Sequence, residues 1–96
     1  MNLIKAKGIK MPEISRFLGI KIFMYFNERN PPHFHAEYNN YRASIDIKTL
    51  GVIDGKLPSK VLGLVVEWAE DHQEELLQNW KSLKETGEYK KIKPLV

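Results

Sequence analysis

The alternation of apolar and polar residues in the first half of the chain predicts a β-sheet. Apolar residues fall at every second position from residue 20 to 26, which is the period of a half-buried strand. Residues 14–17 predict a short strand that turns back at Leu18-Gly19. Neither proline of NERNPP can donate a hydrogen bond to a strand, so residues 27–32 are predicted to form a loop.

A β-hairpin is predicted for the next segment, HFHAEY-NN-YRASIDI. Asparagine tolerates the positive φ of a two-residue turn, so Asn39-Asn40 is the expected turn and Tyr38 pairs with Tyr41. This register gives the hairpin two different faces. The apolar face consists of Phe34, Ala36, Tyr38, Tyr41, Ala43 and Ile45, and the polar face of His33, His35, Glu37, Arg42, Ser44 and Asp46.

The second half of the chain changes to a helical period. VIDGKL predicts a last strand, and from Ser59 to Thr86 apolar residues recur at spacings of three and four until Gly87. Asp71 and Glu74 resemble a capping box, but the apolar stripe runs through them and favours one helix. The expected fold is α+β: an antiparallel meander of three to five strands with one long C-terminal helix packed on one face.

Composition narrows the class of protein. A chain of 96 residues suits one domain, and with no cysteine it has neither disulfides nor thiolate metal ligands. We expect residues 1–10 to be a flexible N-terminal extension and residues 11–96 to be a single domain. No apolar run is long enough for a membrane span or a secretory signal, so no membrane association and a cytoplasmic location are expected.

The polar hairpin face is the candidate site, and several chemistries are compatible with it. His33 and His35 point the same way, and Asp46 or Glu37 would complete a two-histidine, one-carboxylate set for zinc or iron. Because each histidine already has a partner across the hairpin, the favoured expectation is that no metal or other cofactor is bound. A solvated strand face is the simplest interpretation.

Two functional interpretations of this face need no metal. His33, His35, Arg42 and Asp46 are candidate catalytic residues of a ribonuclease, in which histidine moves protons and arginine stabilises phosphate charge. His33, His35, Glu37 and Arg42 also form a candidate surface for a partner or for nucleic acid, together with the basic tail residues Lys90, Lys91 and Lys93. His72, Trp68 and Trp80 fall near the apolar stripe and are predicted to be core or boundary residues.

Several stretches together resemble a known family. They are MPEISRFLGIKIFMYFNERNPPHFHAEY, the tryptophan, histidine, leucine and tryptophan of VVEWAEDHQEELLQNW, and the KKIKPL tail. The chain is similar over residues 11–96 to small bacterial proteins grouped as family 4160 of the domains of unknown function. The resemblance implies no established reaction, but it implies membership of toxin-antitoxin-like gene pairs.

The expected function combines this resemblance with the residues. It is a toxin-antitoxin-like module that binds a small protein encoded by a neighbouring gene and also RNA or DNA. The alternative is a ribonuclease or metal-dependent hydrolase that uses the face of His33 and His35. A homo-oligomer is compatible with either function.

Overall fold

The computed structural model describes residues 11–26 and 28–96, so the expected extension at residues 1–10 lies outside the described residues. Five strands are followed by two helices. The strands are β1 (Glu13–Phe17), β2 (Ile20–Phe23), β3 (His33–Tyr38), β4 (Tyr41–Asp46) and β5 (Val52–Lys56), and the helices are α1 (Ser59–Glu70) and α2 (Gln73–Glu85).

The five strands form one antiparallel meander in the order β1-β2-β3-β4-β5. This confirms the α+β class and the predicted sheet. Leu18 and Gly19 take positive φ angles of 50° and 79° in the first turn, and Asn39 takes 53° in the β3-β4 turn. The observed β3-β4 pairing runs from His33 opposite Asp46 to Tyr38 opposite Tyr41, which is the predicted register.

The core lies between the apolar face of this sheet and the two helices. Phe34 and Ile45 of the hairpin are fully buried, as is Trp68 of α1. The Trp68 ring contacts Phe34 with 6.0 Å between ring centroids and Phe17 with 5.5 Å. The helices therefore cover the face opposite the side chain of His35, and the prediction that Trp68 is a core residue is confirmed.

The prediction of one long helix is wrong, because the helical segment is interrupted at Asp71 and His72. The amides of both residues bond to carbonyls three residues earlier, and His72 leaves the helical region with φ −131° and ψ 20°. At the start of α2 the Gln73 side chain donates to the carbonyls of Ile47 and Lys48. The apolar stripe continues through the break because both helices pack on the same sheet face.

The C-terminal tail covers the β1 edge of the sheet. The Ile92 amide donates to the Ile14 carbonyl at 2.8 Å, and the Ser15 hydroxyl donates to the Ile92 carbonyl at 2.9 Å. Trp68 Nε1 donates to the Lys93 carbonyl, which ties the tail to α1. As a result, β5 is the uncovered edge of the sheet in the described part of the chain. Among the described residues, no helix has the length and hydrophobicity needed to span a membrane.

Candidate functional site

A loop carboxylate meets two strand histidines on the polar face of the sheet. His33 and His35 are two residues apart on β3, so both rings leave the same face of the strand. Glu28 comes from the loop between β2 and β3. Its Oε1 atom lies 3.0 Å from His33 Nε2 and 2.8 Å from His35 Nε2. We call Glu28, His33 and His35 the Glu-His-His cluster.

The second nitrogen of each histidine has its own partner. His33 Nδ1 lies 2.7 Å from the Pro31 carbonyl oxygen, and His35 Nδ1 lies 3.1 Å from the Ser44 hydroxyl on β4. Tyr25 stacks on the His35 ring with 4.2 Å between ring centroids. These contacts fix both rings with Nε2 directed at the same carboxylate oxygen, as partners of metal-binding histidines do in other proteins.

The carbonyl partner of His33 determines where its proton lies. A carbonyl only accepts, so His33 Nδ1 must carry hydrogen and donate it. A neutral His33 ring would therefore present a lone pair at Nε2 to the negatively charged Glu28 oxygen at 3.0 Å, and that contact would be repulsive. It becomes attractive when a second proton or a metal cation lies between the two atoms.

The dimensions of the Glu-His-His cluster fit a divalent metal. Its ligand atoms all lie within 4.8 Å of one another. Ligand atoms around a tetrahedral zinc are separated by about 3.3 Å. The two oxygen-to-nitrogen separations, 2.8 Å and 3.0 Å, need to open by only a few tenths of an ångström, and the two Nε2 atoms lie within 4.8 Å of each other. A pocket of about 440 Å³ is lined by two members of the cluster, Glu28 and His33, and by Ser44.

The other predicted residues of the polar face are not part of this cluster. Asp46 is opposite His33 in the register, but its Oδ1 accepts hydrogen bonds from the amides of Lys48 and Thr49 in the following turn. Arg42 pairs with Glu37 at 2.6 Å and donates to the Tyr25 hydroxyl at 2.8 Å. Glu28 thus occupies the position proposed for Asp46 or Glu37, while Arg42 bonds to Tyr25, which stacks on His35.

The tail lysines and His72 lie elsewhere. The Lys91 ammonium donates to the Glu13 carbonyl, and Lys90 exchanges backbone hydrogen bonds with the Asn79 side chain. Lys90, Lys91 and Lys93 therefore follow the β1 edge, two strands away from β3. His72 is half-buried between α1 and α2 and pairs with Glu75, as expected for a boundary histidine.

Sequence reasoning missed Glu28, and the reason is the position of this residue. It precedes the two prolines in a loop with no hydrophobic period, and a loop residue has no face that periodicity can assign. The sequence did contain one indication: the β2-β3 loop must lead into the start of β3, and His33 is the first residue of that strand. An acid in that loop was therefore a candidate ligand.

A five-stranded antiparallel meander with two helices on one face and a Glu-His-His cluster on the other defines a small α+β domain. The chain belongs to the family described as Domain of unknown function (DUF4160), whose model matches residues 19–81. The matched region includes the whole cluster, all of β2 to β5 and most of the helical segment. No curated protein and no solved structure matches the chain.

Proposed function

We propose that the protein binds a divalent metal at the Glu-His-His cluster and is a metal-dependent hydrolase. The observation that supports this most strongly is the convergence of two Nε2 atoms and one carboxylate oxygen within 4.8 Å. Two histidines and a carboxylate form a ligand set typical of zinc and iron(II). A metal with three protein ligands and an open position can acidify a water molecule and polarise a substrate oxygen.

The residues around the cluster have separate roles in this proposal. The Pro31 carbonyl holds the proton of His33 on Nδ1, which leaves Nε2 for the metal. The Ser44 hydroxyl can accept from His35 Nδ1, which is compatible with the same tautomer for His35. Tyr25, held by Arg42, shields one side of the His35 ring from water.

Hydrolysis of an activated phosphodiester, bis(p-nitrophenyl) phosphate, tests the function. The purified protein supplied with zinc or iron(II) should release p-nitrophenolate, and a chelator should abolish this release until metal is added back. The double variant His33→Ala/His35→Ala should be inactive under all conditions but still fold, because the buried core lies on the other sheet face. Activity that survives both the chelator and the double variant would rule out this function.

Replacing Ser44 with alanine should lower zinc affinity by about 10- to 100-fold, the usual effect of removing the outer partner of a metal-binding histidine. The alanine leaves His35 Nδ1 without its hydrogen-bond partner across the hairpin. Ser44→Thr is the matched control because it keeps the hydroxyl on a strand and should bind zinc nearly as the parent does. Isothermal titration with zinc measures both, and equal affinities for the two variants would contradict the role of Ser44.

A second candidate function is the binding of a small partner protein, as in a cytoplasmic toxin-antitoxin-like pair. The observation that favours it is the open β5 edge, where Val52 and Ile53 are 43% and 47% exposed. Unpaired edge strands accept strands from other chains. Co-expression with the protein of a neighbouring gene tests this function, and Ile53→Lys should abolish co-purification if β5 is the contact.

A further inference from the structure

We propose that a pocket beside the Glu-His-His cluster holds a phosphate group of a nucleic acid, through Lys48, Lys81 and Lys84. This inference rests on the proposed hydrolase function and names its substrate class as a phosphodiester chain. The pocket has a volume of about 480 Å³, and the three lysines line it together with Trp80, Asn30 and Glu85. We call it the lysine pocket.

Two parts of the fold bring the three lysines together. Lys48 lies in the turn after β4, whereas Lys81 and Lys84 lie on α2. The Gln73 side chain holds that turn against the start of α2 through bonds of 2.8 Å and 3.2 Å to the Ile47 and Lys48 carbonyls. The relative position of the lysines is therefore set by a contact between the sheet and the helix.

The charges of the lysine pocket are available to a ligand. Within residues 11–26 and 28–96, none of the three ammonium groups forms an ion pair with a carboxylate. Lys84 lies over the Trp80 ring at 5.2 Å from its centroid, which orients this side chain along the pocket wall. Glu85 is the acidic residue of the lining, so three positive charges face one negative charge.

The lysine pocket is next to the proposed metal centre. Trp80 lines the pocket, and its ring also lies against His33 with 5.1 Å between ring centroids. Asn30 lines both this pocket and the opening beside Glu28 and His33. In this proposal one phosphate lies among the lysines, and another phosphate of the same chain lies at the cluster.

A phosphodiester backbone carries a negative charge at each nucleotide, so one chain can supply anionic groups to both the lysine pocket and the cluster. Lysine contacts phosphate as a point charge and gives no base specificity. Trp80 is only 5% exposed and cannot serve as a platform for base stacking. The lysine pocket therefore recognises the backbone, and we expect binding that falls steeply as the salt concentration rises.

Fluorescence anisotropy with a short labelled single-stranded RNA tests this inference on the full chain without added metal. The triple variant Lys48→Ala/Lys81→Ala/Lys84→Ala should bind at least about tenfold more weakly than the parent protein. Loss of the one phosphate held by the three lysines should also reduce the slope of log affinity against log salt by about 0.7. The matched control, Lys90→Ala/Lys91→Ala/Lys93→Ala, removes the same charge from the β1 edge and should keep most of the affinity.

Further measurements show which kind of anion binds and distinguish the lysine pocket from the proposed metal centre. Binding of both RNA and DNA of the same sequence, each tighter than the binding of poly-glutamate, supports a phosphodiester ligand, whereas equal binding of poly-glutamate overturns it. Weaker binding by the tail variant alone, or by neither variant, also overturns it. Zinc titration of the lysine variant should match the parent, so that a failure of the metal centre and a failure of the lysine pocket give different results.

Discussion

Replacing Trp68 with alanine should lower the free energy of unfolding by about 3 to 5 kcal/mol, the range for removing a large buried side chain. The Trp68 side chain is fully buried and packs on Phe17 and Phe34. Its removal also leaves the Lys93 carbonyl without the Nε1 donor at 2.8 Å, which loosens the tail from α1. Urea unfolding followed by circular dichroism measures the change.

Two further variants make the Trp68 result specific. Trp68→Phe keeps most of the packing but loses the Nε1 hydrogen bond, so its free energy of unfolding should lie between those of the alanine variant and the parent protein. Glu67→Ala changes the neighbouring, exposed position of the same helix and should stay within about 0.5 kcal/mol. A loss below about 1 kcal/mol for Trp68→Ala would contradict the placement of α1 on the sheet.

Replacing Glu28 with glutamine should weaken zinc binding by at least about 100-fold, beyond the 10- to 100-fold effect of an outer partner. The neutral amide has nearly the same size as the carboxylate but lacks the charge that metal ions prefer. The fold should persist, because Glu28 lies in a loop on the polar face and its side chain is 26% exposed. Isothermal titration with zinc on metal-free protein gives the affinity.

The control for Glu28→Gln is Glu70→Gln, which makes the same chemical change at an exposed position of α1. This control should bind zinc as the parent does and should unfold at the same urea concentration as the parent. If Glu28→Gln changed the affinity by less than about threefold, Glu28 would not be a ligand. The two histidines would then lack the carboxylate that the proposed centre requires.

The sheet could be predicted from the sequence because its evidence is local. Asn39-Asn40 sets the turn, and a side-chain period of two then determines which residue faces which, from His33 opposite Asp46 to Tyr38 opposite Tyr41. The break in the helical segment was harder to predict, because one helix and two helices on the same sheet face have the same apolar stripe. The break at Asp71 and His72 is accompanied by a tertiary interaction, the contact of Gln73 with the turn after β4.

The candidate site was predictable only where it lies on strands. The alternation on β3 places His33 and His35 on one face, and the register places Ser44 beside His35. The third member of the cluster was missed because Glu28 lies in a loop, where the path of the chain is set by tertiary contacts. The register alone made the Asp46 carboxylate a candidate ligand, but its Oδ1 atom accepts hydrogen bonds from two amides of its own turn.

Anomalous scattering from a crystal grown with zinc would show whether a metal is bound at the Glu-His-His cluster. With zinc bound, a strong anomalous peak should appear about 2.0 to 2.2 Å from Glu28 Oε1, His33 Nε2 and His35 Nε2. The peak should disappear in crystals of Glu28→Gln grown in the same solution. Full-occupancy peaks only at other carboxylates, with His33 and Glu28 still in direct contact, would contradict the metal centre.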